Sequence, residues 1–148
     1  MGVTIARKAV KGGQAIDSAG SYDAGKSLTP KVKNFIGLAG ANLGLNSCYN
    51  GGTLYPTCSN IDGFNPGTLP TAGPSKYLAD LKNGGKEGDH VYVIWSKMDS
   101  IIGIGATVWG HITCQIPNQD GEVVKNSYEW DHFAIRDKTG GDLIGWLK

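Results

Sequence analysis

Hydrophobic positions along the chain change their period near residue 88. Before it, Val32, Phe35, Ile36, Ala39 and Leu43 recur at helical spacing and form one apolar face. Thr29 is a good N-cap, Pro30 stands where a missing N–H costs nothing, and Gly44 with Asn46 closes the run. The pattern predicts a helix from Pro30 to about Leu43. Tyr77, Leu78 and Leu81 predict a second helix over 74–82, stopped by Asn83-Gly84-Gly85. Residues 1–29 are small and polar, with one short element expected at 3–10. Residues 46–73 read as a long loop rich in Gly, Pro, Asn and Thr.

After Gly88 the period becomes two. Val91, Val93 and Trp95 alternate with polar or lesser neighbours and predict a strand over 90–95. Over 106–116 the even positions (Ala106, Val108, Gly110, Ile112, Cys114, Ile116) are small or apolar. The odd positions (Thr107, Trp109, His111, Thr113, Gln115) are polar or aromatic. Side chains alternate across a strand, so the even set should face a core and the odd set a cleft or water. A turn over 118–121, a strand over 129–136 and a last one over 142–147 complete the expectation. Helices first and strands after give an α+β fold, with N-terminal helices packed on a small antiparallel β-sheet. A length of 148 residues suits one domain, 1–148.

Composition narrows the functional classes. Fourteen Lys+Arg against 13 Asp+Glu leave a net charge of +1 with no basic block, which argues against a nucleic-acid partner. The longest apolar runs fall far short of about 18 residues, so no membrane span is expected. Arg7, Lys8 and Lys11 near the start are not followed by an apolar segment, so no signal peptide is read there. Twenty-three Gly and only 18% charged residues still suit a loop-rich domain secreted or delivered out of the producing cell. Three Cys exclude a disulfide framework, and without Cys-x-x-Cys or a His cluster no metal and no cofactor is expected. Gly103-Ile104-Gly105 followed by Gly110 does not make a dinucleotide loop. Asp89, Asp99, Asp120, Asp131 and Asp137 read as turn and strand-end residues rather than as a glycosidase pair.

Cysteine and histidine carry the remaining candidate chemistry. Cys114 shares the apolar face with Ile112 and Ile116 and reads as a small buried hydrophobe. His111 stands on the opposite face, where a general base reaches solvent. A Cys–His pair works because imidazole lowers the thiol pKa and later returns the proton to the leaving group. A third polar group orients the imidazole, and Asn126, Asp131 and His132 are candidates.

In this order the pieces resemble the papain-like amidases of the NlpC and CHAP type, including cell-wall amidase effectors. The resemblance runs over about 46–136 and rests on Cys48, Leu69-Pro70, Gly88-Asp89 before His90-Val91-Tyr92-Val93, and Gly110-His111-Ile112-Thr113. It implies a papain-like fold and hydrolysis of amide bonds in bacterial cell-wall peptide. Cys48 would be the nucleophile, His111 the base and His132 or Asp131 the orienting group. Trp109, which shares a face with His111, and Tyr49 would bind substrate. The implied partners are peptidoglycan peptide or another peptide substrate, with room for an immunity protein. Cys48 is followed by Tyr49-Asn50-Gly51-Gly52 rather than by the family's small residue and helix.

Two alternatives stand beside this reading. Nine residues separate Cys48 and Cys58, which could close a loop as a disulfide, stabilising by about 2–3 kcal/mol. The protein would then be a non-enzymatic β-rich binding or phage/virulence structural module, its four Trp serving as packing or as a sugar platform. A deamidase using the same Cys–His pair is the third.

Overall fold

The computed structural model describes residues 1–51, 54–68 and 73–148. Helix α1 (Gly2–Lys11) opens the chain and is followed by an antiparallel hairpin, β1 (Gln14–Asp17) with β2 (Gly20–Asp23). A 3-10 turn at Thr29–Lys31 leads into β3 (Asn34–Leu38). Helices α2 (Asn46–Gly51) and α3 (Lys76–Asp80) precede β4 (His90–Ser96). Two short strands, β5 (Thr107–Val108) and β6 (His111–Ile112), pair with each other, and β7 (Gly121–Lys125) is the last strand. Helices α4 (His132–Lys138) and α5 (Gly140–Trp146) end the described chain.

The result is a mixed α+β structure, but its principal sheet is not antiparallel. It has the order β3-β4-β7, and both pairings are parallel. Antiparallel pairing is confined, among the described residues, to β1–β2 and β5–β6. Segment 34–38 is a strand where a helix was expected. Its neighbour β4 is buried almost throughout, with Val91, Val93, Ile94 and Trp95 all in the core. A parallel strand covered on both faces shows a short apolar run instead of alternation, and such a run mimics helical spacing. Gly37 in β3 lets the strand approach its cover, since a Cβ there would stand 3.3 Å from both Val3 and Ile116 side chains.

Of the remaining expectations, two hold and three strands do not. The element at 3–10 is helix α1. The helix read over 74–82 is found as α3, N-capped by Ser75, whose side chain accepts from Leu78 N–H. The strand read over 106–116 is broken by Trp109 and Gly110, which both take positive φ (50° and 81°) and turn β5 back on β6. The strands read over 129–136 and 142–147 are α4 and α5. Asp131 starts α4 as its N-cap, accepting from Ala134 N–H at 2.7 Å.

A second core of charge sits under α1. Arg7 is fully buried, and its Nε lies 2.7 Å from Glu87 Oε1. Its Nη1 donates to Asn42 Oδ1 and its Nη2 to the Leu81 carbonyl, both at 2.9 Å. These bonds tie α1 to the turns before β4 and after β3. Among the described residues no helix is long and apolar enough to cross a membrane, and no cluster of His, Cys, Asp or Glu could hold a metal ion.

Candidate active site

Strand β4 ends at Ser96, whose hydroxyl accepts from Met98 N–H and turns the chain. Asp99 follows in that turn with no exposed surface. Its Oδ1 accepts from Ile101 N–H at 2.9 Å and Ile102 N–H at 2.8 Å. Its Oδ2 lies 2.7 Å from Nδ1 of His132, the first residue of α4. Both carboxylate oxygens are therefore occupied, as a buried carboxylate requires. With Nδ1 donating to Asp99, the imidazole is fixed in orientation and Nε2 keeps the lone pair. The His132 side chain is 27% exposed, so that second nitrogen can meet a substrate while Asp99 cannot.

The space beside His132 is a cleft of about 280 Å³. Leu38 and Ala39 from the end of β3, Val3 from α1, and Phe133 and Ile135 from α4 give it apolar walls beside the charged Arg136, with Met1 and Gly2 also lining it. Burial pushes the Met1 amino group below its ordinary pKa. Ala39 takes φ 47°, a left-handed conformation that costs a non-glycine residue energy, while its N–H donates to the Ile94 carbonyl at 2.9 Å. The cleft and Asp99 both lie at the carboxyl ends of parallel strands, where open sheets of this kind place their ligands.

The structure does not bring together the residues expected from the amidase resemblance. Cys48 and Cys58 are joined by a disulfide with Cα atoms 4.9 Å apart, so Cys48 has no thiol to act as a nucleophile. His111 is exposed on β6 and lines a different cleft, which shares no residue with the one at His132. Asp131 caps α4 rather than touching an imidazole. Tyr49 and Trp109 pack edge to face with ring centres 5.0 Å apart, and Trp109 Nε1 donates to the Pro66 carbonyl. Leu69-Pro70 lies outside the described residues. Cys114 is buried as its pattern indicated, and burial raises its thiol pKa.

Comparison with known families matches residues 1–140 to the family described as Lipase (class 2). The chain belongs to the class 2 lipase family. No curated protein and no solved structure matches it. The family assignment overturns the amidase resemblance, and with it the reading of a thiol hydrolase acting on cell-wall peptide. It directs attention to the one Asp–His pair found among the described residues of this lipase-family chain. His132 was among the residues singled out from the sequence, but as a partner for His111. Asp99 was missed, because an Asp two residues before an N–H it caps is what any turn shows. The available signal was its place directly after the most apolar strand of the chain, with a histidine following in sequence order.

Proposed function

We propose that the chain serves hydrolysis of carboxylic esters with an apolar acyl part, with His132 as general base and Asp99 as the carboxylate that orients it. The observation that carries this reading is the 2.7 Å contact between buried Asp99 and part-exposed His132 in a chain of the class 2 lipase family. The apolar walls of the adjoining cleft suit an acyl chain. None of the described residues that line it is Ser, Thr or Cys, so the reading rests on the Asp99–His132 pair as the base that activates a hydroxyl or water.

The test is turnover of p-nitrophenyl butyrate by the protein. His132→Gln should lower the rate by about 10³-fold or more, and Asp99→Asn by about 10²–10⁴-fold. A rate indifferent to His132→Gln would sink the assignment. The reading also takes the protein to work in an oxidising compartment, supported by the Cys48–Cys58 bridge.

A further inference from the structure

The cleft beside His132 has a wall that the proton chemistry of the Asp99–His132 pair does not use. Phe133 follows His132 directly and lines that cleft. It is 55% exposed, while its α4 neighbours Ala134 and Ile135 are buried. Substitutions at positions this open usually change stability little, so packing does not explain a phenylalanine here. We infer that Phe133 is a specificity-determining residue, whose ring carries the acyl chain of the ester and makes the site select a short-to-medium chain over an acetyl group. This inference rests on the ester reading of the site.

Three features support it. The ring is held from two sides. The His132 imidazole meets it edge to face, with ring centres 5.9 Å apart and planes at 85°. Arg136, three residues on and therefore on the same helix face, places its guanidinium 5.6 Å from the ring centre. Asp137 fixes that guanidinium in turn through bonds of 2.6 and 3.0 Å. A ring set in this way loses little freedom when a chain settles on it. Position is the second feature. The ring stands against the imidazole, so an ester whose carbonyl is served by His132 has its acyl carbons beside Phe133. The third is the character and size of the cleft. No Asp or Glu lines it, Asp137 balances the charge of Arg136, and Val3, Leu38 and Ala39 supply further apolar wall. Its volume of about 280 Å³ stands at the small end of ligand pockets, which hold about 300–1,000 Å³, and so suits several acyl carbons rather than a long chain.

The experiment compares the protein with Phe133→Ala and Phe133→Leu. It measures kcat/KM on p-nitrophenyl octanoate and p-nitrophenyl acetate, and binding of octanamide by NMR titration. Octanamide carries the acyl chain without an ester. Phe133→Ala should lower the octanoate-to-acetate ratio of kcat/KM by about tenfold and weaken octanamide binding by a similar factor, with an unchanged melting temperature. Phe133→Leu keeps an apolar side chain and should recover most of the ratio. An unchanged ratio in Phe133→Ala overturns the proposal. So does octanamide that fails to saturate, or that binds Phe133→Ala as tightly as the parent. The ester reading fails on a different result, turnover indifferent to His132→Gln, and octanamide binding is read without turnover, so the two failures are told apart.

Discussion

At the scale of single residues, the chain's chemistry depends on charged groups that burial has made consequential. Arg7 is among the largest side chains without exposed surface, and Glu87 beside it is as deeply buried. Glu87 Oε2 has no hydrogen-bond partner among the described residues, so the pair's carboxylate is held mainly through Oε1 by Arg7, with Lys11 at 3.4 Å. Removing one member of such a pair strands the other without water. Arg7→Ala should therefore cost about 3–5 kcal/mol of stability, read from urea unfolding at neutral pH. A loss under about 0.5 kcal/mol, the level of an ordinary surface change, would contradict the placement. Sequence alone gave no sign of this, because Arg7 occupies one position of a short polar helix like any solvated arginine. Asp99 was hidden differently. Its Oδ1 does what turn aspartates do, and only its Oδ2 meets His132. That contact spans 33 residues, a distance over which no local pattern carries information.

At the scale of elements, local rules succeeded where local forces decide the outcome. Ser75 caps α3, Cys114 is buried, and β4 runs where alternation placed it. Over 106–116 the even positions are mostly buried and the odd ones mostly exposed, yet no continuous strand exists there. Burial parity was legible; the turn at Trp109 and Gly110 was not, because a positive φ at tryptophan has no sequence signature. β3 failed as a prediction because what surrounds it, β4 beside it in the sheet and Val3 and Ile116 packed at Gly37, is distant in sequence. The disulfide joins α2 to the turn at Pro56–Cys58. Its closed loop is short, so the chain-entropy contribution is about 2–3 kcal/mol. The double variant Cys48→Ser/Cys58→Ser should melt lower by about 5–10 °C while keeping ester turnover. Thiol titration of the denatured, unreduced protein should count one free sulfur, Cys114. Three free sulfurs, or turnover abolished in a still-folded double variant, would refute this division between structural sulfur and catalytic imidazole.

At the scale of the whole molecule, the parallel sheet explains why Asp99, His132 and the start of α1 meet. β3 and β4 run in the same direction, so Ala39 and Asp99, each beyond a strand's carboxyl end, arrive on one side, and α4 then brings His132 over Asp99. The same sheet is closed at its opposite end by Asp120, at the entry to β7. Its Oδ2 accepts from Val91 N–H at 2.7 Å, its other oxygen pairs with Lys86, and its own N–H donates to the Val91 carbonyl. Lys86 first, and then the Val91 N–H, hold the Asp120 carboxyl below its ordinary pKa. Ser59 does the same for Asp62, and Arg136 for Asp137. A carboxylate whose pKa is lowered by folding adds stability above its unfolded pKa, and that stability is lost as pH falls through the folded value. Acid should therefore weaken the fold from the ordinary carboxylate range downward. Asp120→Asn removes one contributor, so its unfolding midpoint in urea should lie below the parent's at neutral pH. The gap should narrow as the pH is taken below the carboxylate range, because the parent then loses what the variant never had. A gap that stays constant or widens toward acid would mean that Asp120 does not hold its charge against the β4–β7 junction as described.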